Sequence, residues 1–133
     1  MIEITDRQIL PERVIAKAKT DGSGCVATYV GLIRNMSHGK AVLSVEYQDR
    51  DGRAAEALRT IANEVQRRWQ TENVAITHRV GKLAVGDVNL VVAVAAAHRT
   101  EGFAGCQYII DEFKKRLPTF KRETYLDGTI KEA

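Results

Sequence analysis

The stretch "NVAITHRVGKLAVGDVNLVVAVAAAH", residues 73–98, decides the fold class. "NVAITHRV" (73–80) and "DVNLVVAVAAAH" (87–98) read as strands, separated by "GKLAVG" (81–86), whose glycines permit a tight turn or a bulge. The second strand is too apolar to be an exposed edge. On the amino-terminal side, Ala54, Ala57, Leu58, Ile61, Ala62, Val65 and Trp69 fall on one helical face, with Arg59, Asn63, Arg67 and Gln70 elsewhere, which predicts a helix over 53–69. On the carboxy-terminal side, Phe103, Cys106, Ile110, Phe113 and Leu117 are spaced 3, 4, 3 and 4. That spacing predicts a second long helix from about Glu101 to Leu117, with Thr100 as N-cap and Pro118 as terminator. Strands interleaved with two long helices give the α+β class.

Further out, "IEIT" (2–5) alternates as a short strand, and "PERVIAKAKT" (11–20) has helical spacing through Val14, Ile15 and Ala18 until Asp21-Gly22. "GCVATYVGLIRN" (24–35) and "AVLSVEYQ" (41–48) read as two paired strands, with the polar "MSHGK" (36–40) as a loop between them. A chain of 133 residues is long enough for one hydrophobic core, so residues 1–133 are read as a single domain. There is no internal repeat, linker or low-complexity segment.

Several function classes drop out. The net charge of +3 tolerates anionic ligands, nucleic acid or an acidic partner without selecting among them. Cys25 and Cys106 are far apart and outside any CxxC or Cys/His cluster, and read as buried free thiols. His38, His78 and His98 have no metal-ligand spacing, so no metal is expected, and His78 reads as a partly buried, hydrogen-bonded strand residue. No GxSxG elbow, P-loop or dinucleotide fingerprint appears, and the adjacent Asp111 and Glu112 cannot share a helix face for paired-carboxylate chemistry. No run approaches the roughly 20 apolar residues of a membrane helix, and the amino terminus has no signal-peptide pattern, so a cytoplasmic protein is expected.

What does stand out is the distribution of cations along "HRTEGFAGCQYIIDEFKKRLPTFKRE" (98–123), which places them at the two ends of one predicted helix. Lys114, Lys115 and Arg116 suit the negative end of the helix dipole, but Lys121, Arg122 and Glu123 follow just beyond Pro118, so positive charge crowds one corner. His98 and Arg99 lie roughly 20 Å away along the same axis at 1.5 Å per residue. One small ligand cannot easily touch both groups. Either they serve different ligands, or a second copy of the chain brings its His-Arg end to the first copy's lysine corner.

Four blocks in order, "GLIRN" (31–35), "HRVGKLAVGD" (78–87), "AHRTEGFAG" (97–105) and "FKKRLPTFKRE" (113–123), resemble the large, catalytic subunit of molybdopterin synthase, the MoaE family. The resemblance extends over nearly the whole chain. It implies an α/β-hammerhead fold, a homodimeric core, and a small ubiquitin-like sulfur-carrier subunit on each side, making a heterotetramer. It also implies a sulfurtransferase reaction without a cofactor: two sulfurs pass from the carrier's C-terminal thiocarboxylate to cyclic pyranopterin monophosphate, giving the molybdopterin dithiolene. By the same resemblance Lys114 and Lys121 are catalytic, and Leu32, Ile33, Arg34, His98, Arg99, Arg122 and Glu123 bind substrate. The cations fit that chemistry, because a cyclic phosphate and a thiocarboxylate are both anionic and opening the phosphate ring develops further charge on a leaving oxygen.

The chain departs from the family in three places. Phe120 stands where relatives commonly have Trp; "EYQDRDGRAAEAL" (46–58) lacks their aromatic-Pro pattern; and the tail "GTIKEA" (128–133) offers no assigned site residue. Two other readings compete. An RNA-binding module would interleave exposed aromatics with Lys and Arg, yet Phe103 and Phe113 belong to the predicted buried stripe, leaving chiefly Tyr108, Phe120 and Tyr125. A non-catalytic dimeric scaffold of the same fold is disfavoured by the intact lysines and His-Arg pair.

Overall fold

The computed structural model describes residues 1–116 and 118–133. Its elements are β1 (Ile2–Thr5), α1 (Pro11–Ala18), β2 (Cys25–Leu32), β3 (Met36–Ser37), β4 (Lys40–Gln48), α2 (Ala54–Trp69), β5 (Asn73–Arg79), β6 (Gly81–Ala84), β7 (Val88–Ala96), α3 (Arg99–Lys115), β8 (Phe120–Tyr125) and β9 (Ile130–Glu132). They form the expected α+β arrangement, with mixed and antiparallel strands and two long helices.

The first sheet has the order β1-β5-β7-β2, with β1 parallel to β5 and the other pairs antiparallel. β7 is interior, as its composition required, and its alternation explains how it is buried on both faces. Leu90, Val92 and Val94 meet Leu58, Ile61 and Val65 of α2 and Cys106, Ile109 and Phe113 of α3. Val91, Ala93 and Ala95 face Val14 and Ala18 of α1, where small side chains let the short helix approach closely. Pro11 at the first position of α1 supplies the helix-compatible φ without losing an internal hydrogen bond.

The second sheet is built on β4, which pairs antiparallel with β8, with β6 and, at its start, with β3; β9 pairs with β8. Its own small core is Ile33, Val42, Val45, Tyr47, Leu83 and Tyr125. The expected pairing of the two strands on either side of "MSHGK" is therefore corrected: β2 pairs with β7, and the chain crosses from one sheet to the other after Leu32. "MSHGK" is not simply a loop. Met36 pairs with Ala41 and Ser37 with Lys40 around a two-residue turn in which His38 (φ 52°) and Gly39 (φ 75°) are both left-handed, the geometry that matches strand twist. "GKLAVG" likewise contains strand β6. Gly81, at φ 97°, makes the bend by which the chain leaves β5 in the first sheet and enters the second.

Helix α3 starts two residues before the expected point, so His98 rather than Thr100 is its N-cap, and it ends at Lys115 with Arg116 as C-cap. Its buried face is also rotated from the expected one: Gly102, Gly105, Cys106, Ile109 and Phe113 are buried, Ile110 is half-buried, and Phe103 is 64% exposed. The expected stripe position at Leu117 lies outside the described residues. Glycine marks the contact face because a Cβ at Gly105 would lie 2.8 Å from Val65 Cγ1, and one at Gly102 would lie 3.2 Å from Cys25 Sγ. Both glycines thus serve packing within one subunit. Cys106 is buried, which pushes its thiol up to about 11, while Cys25 is half-buried.

Candidate active site

The two sheets diverge at the carboxy-terminal end of α3, and a cleft of about 670 Å³ opens between them. Tyr29, Leu32 and Arg34 border it from β2 and the crossing segment, and Ile110, Phe113 and Lys114 from the last turns of α3. Lys121 and Glu123 enter from β8, Tyr47 from β4, and Asn89 and Leu90 from β7. The β3–β4 turn adds Ser37 and His38.

Strand alternation decides which cations reach the cleft. Lys121 and Glu123 share a face of β8 and turn inward, whereas Arg122 turns to the other face. There it donates from Nε to Glu132 at 3.0 Å and lies 3.7 Å from Glu46, so it is occupied away from the cleft. Helix geometry makes a second selection. Arg116 pairs with Glu64 at 2.5 Å and Glu112 at 2.9 Å, and Lys115 with Glu112 at 3.5 Å. Lys114 has no acidic partner within 4 Å among the described residues and borders the cleft. Of the six Lys and Arg residues in 98–123, two therefore converge on one cavity, Lys114 and Lys121, and Arg34 joins them from across it.

Glu123, which is buried, is the one acidic side chain that lines the cleft among the described residues, and Ala133 borders the cleft beside Lys121. One of the Glu123 carboxylate oxygens lies 3.9 Å from Lys121 Nζ and 3.8 Å from His38 Nε2. Glu123 thereby orients Lys121, while three cationic side chains against one acidic side chain leave the cavity suited to an anion. His38 also receives Lys131 of β9, whose Nζ is 3.1 Å from Nε2. Tyr47 is buried, which raises its phenol above the ordinary range, and its oxygen accepts a hydrogen bond of 3.1 Å from Asn89 Nδ2. Gly31 makes room for that amide, since a Cβ there would lie 2.8 Å from Asn89 Oδ1.

Leu32 is exposed at the cleft, and the neighbouring Ile33 is buried in the second sheet's core, bordering a smaller hollow contiguous with the cleft through Leu32, Arg34, Lys121 and Glu123. His98 and Arg99 are not brought to the cleft within one chain. They border a separate open hollow with Gly24, Cys25, Ala97, Thr100 and Glu101 at the other end of α3. The side chain of His98 is 83% exposed, with Nδ1 3.9 Å from Glu101. His38, Tyr47 and Asn89 were not candidates from the sequence. Only the "SHGK" turn carried a local signal, and it pointed to a hairpin rather than to a site. No group of three or more His, Cys, Asp or Glu side chains placed to hold a metal occurs among the described residues.

Comparison with known proteins bears on the fold and the family. The family model of the MoaE protein matches residues 4–116. The molybdopterin synthase catalytic subunit of Nostoc sp. is 37% identical over 127 residues, covering 95% of this chain and 77% of that protein. A crystal structure of molybdopterin synthase from Staphylococcus aureus superposes with a TM-score of 0.90 at 25% identity, covering 98% of this chain and 94% of the other. The molybdopterin biosynthesis MoaE protein of Burkholderia ambifaria does so with a TM-score of 0.84 at 33% identity, covering 99% and 87%. With a family model matching most of its length and a relative 37% identical over 95% of it, this chain belongs to the MoaE family.

Proposed function

We propose that the chain is the catalytic subunit of a molybdopterin synthase and acts in the cytoplasm as a sulfurtransferase. It takes sulfur from the thiocarboxylated C-terminus of a small ubiquitin-like carrier and delivers two atoms in turn to cyclic pyranopterin monophosphate. The observation that carries this reading is the convergence of Lys114, Lys121 and Arg34, from three separate segments, on one cleft lined by a single acidic side chain among the described residues. Arg34 offers a planar fork to the phosphate, which keeps a half-reacted intermediate bound while the spent carrier leaves. Lys114, without a carboxylate partner, is placed to meet the thiocarboxylate and to exchange protons or form a covalent link at the reacting carbons. Lys121, steadied by Glu123, stabilises the negative charge on the leaving phosphate oxygen.

The functional unit in this proposal is a homodimer flanked by two carriers, with His98 and Arg99 of one chain completing the cleft of the other. The first sheet supports it. β2 is an edge strand, its first residue Cys25 borders the His98–Arg99 hollow, and its last residue Leu32 borders the lysine cleft. Eight residues of strand span roughly 25 Å. Two copies meeting antiparallel along that edge bring the start of each β2 to the end of the other, and so His98 and Arg99 to Lys114 and Lys121. Thr28, Val30 and Leu32 are exposed along the strand.

The test is reconstitution: the purified protein with thiocarboxylated carrier and cyclic pyranopterin monophosphate is expected to yield molybdopterin. A carrier lacking its terminal residues is expected to yield none. Absence of product with the intact carrier, under conditions where a known molybdopterin synthase forms it, contradicts the proposal.

A further inference from the structure

Below the cleft lies an imidazole that the chemistry above does not use. His78 of β5 is wholly buried. Its Nδ1 is 2.9 Å from the carbonyl oxygen of Asn89 and its Nε2 2.9 Å from Thr119 Oγ1. A carbonyl only accepts, so Nδ1 carries hydrogen; burial holds the ring below the ordinary histidine range, so Nε2 is unprotonated and accepts from the Thr119 hydroxyl. The ring is also gripped on two sides, edge-to-face with Tyr47 at 4.9 Å and with Phe113 at 5.0 Å. Packing alone would be met by an apolar side chain. Two nitrogens matched in opposite senses fix the ring's rotation as well, and with it the segments it touches.

Each contact leads to the cleft. Phe113 immediately precedes Lys114; Tyr47 and Asn89 are themselves cleft residues; and Thr119 stands two residues before Lys121, just ahead of β8. Thr119 also lies outside the ladder that holds β8, whose first pair with β4 is Phe120 with Gln48. Its buried hydroxyl bond to His78 therefore ties the strand's entry to β5. We infer that His78 is a positioning residue that, through Thr119 and Phe113, sets the separation and aim of Lys121 and Lys114 without itself touching substrate. This rests on the reading of the two lysines as the reacting pair.

The experiment separates that reading from the inference by using two readouts on the full-length protein with its carrier. Thr119→Val keeps the side-chain shape and removes the donor; Thr119→Ser keeps the donor. At a temperature where each variant is fully folded, Thr119→Val is expected to lower kcat about tenfold with KM little changed, as a small misplacement of reacting groups does, and Thr119→Ser to stay within about twofold of the parent. The second readout needs no turnover: trace acylation followed by mass spectrometry compares the reaction rates of Lys114 and Lys121 with that of the remote Lys17. Thr119→Val is expected to change the rates of Lys114 or Lys121 relative to Lys17 at least about twofold, and Thr119→Ser to leave them unchanged. If the parent protein makes no molybdopterin, the functional reading fails while the acylation rates still test the positioning. Parental kcat and parental relative rates in folded Thr119→Val overturn the inference. So does a Thr119→Val protein that does not fold while Thr119→Ala folds with parental rates.

Discussion

The two ends of helix α3 carry similar charges and are built differently. At the carboxy-terminal end, two sheets and a helix wall a cleft, neighbouring cations are drawn off by Glu64, Glu112, Glu46 and Glu132, and Lys114 and Lys121 are left facing inward. At the amino-terminal end, His98 stands in an open hollow with Glu101 as its one acidic partner among the described residues. An ion pair in that setting adds little, because exposed charges are screened and their side chains lose entropy when held. The contrast shows that adjacency in sequence to a helix terminus does not make a site; the surrounding elements do, by deciding which charges are neutralised. In the proposed homodimer the amino-terminal group gains its walls from the second chain.

Substitutions at each end should separate the two. The largest effect is expected for Lys114→Ala, a loss of about 10²- to 10⁴-fold in molybdopterin formation with the melting temperature little changed, since the side chain is exposed and has no acidic partner among the described residues. Single-turnover assays with preloaded carrier read this directly, and turnover near that of the parent protein would remove Lys114 from the chemistry. Lys121→Ala comes next, at about 10- to 10³-fold. Arg122 cannot substitute because it is held on the other face of β8 by Glu46 and Glu132. Loss of Lys121 also leaves the buried Glu123 with only His38 nearby, so a stability loss of about 1 kcal/mol should accompany the activity loss, measurable by urea unfolding.

At the other end, joint replacement of His98 and Arg99 by Ala is expected to weaken substrate binding about 10- to 100-fold while leaving the melting temperature unchanged. Equal KM in this variant would break the claim that both ends serve one ligand. The smallest effect belongs to a pair that the cleft does not use. Arg116 and the Tyr108 hydroxyl hold Glu64 well below the ordinary carboxylate range, at about 2. Because its folded value lies below its unfolded one, the stabilisation is fully present above the ordinary carboxylate value of about 4.5 and is lost as pH falls towards about 2. Glu64→Gln should therefore lower stability by under about 1 kcal/mol at neutral pH and have no effect near pH 2, without changing turnover. A change in turnover would mean that the helix-end pairs are part of the site after all.

Where the sequence was legible, one kind of force dominated. β5, β7 and α2 are set by apolar burial, and their periodicity shows it. The buried face of α3 was misplaced because it is marked by Gly102 and Gly105, which read as polar or neutral in a hydrophobic pattern although they are the points of closest approach to Val65 and Cys25. β8 and β9 escaped notice for a functional reason. The inward face of β8 carries Lys121 and Glu123 before Tyr125, so the alternation that would reveal a strand is erased where the cleft needs charge. The motifs located Lys114, Lys121 and Arg34, but not His38, Tyr47 or Asn89, which arrive from β3–β4, β4 and β7 and have no fixed spacing to the lysines.

The central claim, that the exposed end of one α3 completes the cleft at the far end of another, is tested most directly by mixing subunits. A protein carrying His98→Ala and Arg99→Ala, and another carrying Lys114→Ala, are each expected to keep at most about a tenth of parental activity when assayed well below the parental KM. Differently tagged copies are combined, subunit exchange is verified by tandem purification, and the mixed dimers are assayed with carrier and substrate. Each mixed dimer would hold one wholly native composite cleft, so activity approaching half that of the parent dimer is expected. Mixed dimers as inactive as the two starting variants would contradict the account, and both groups of cations would then have to act within single chains.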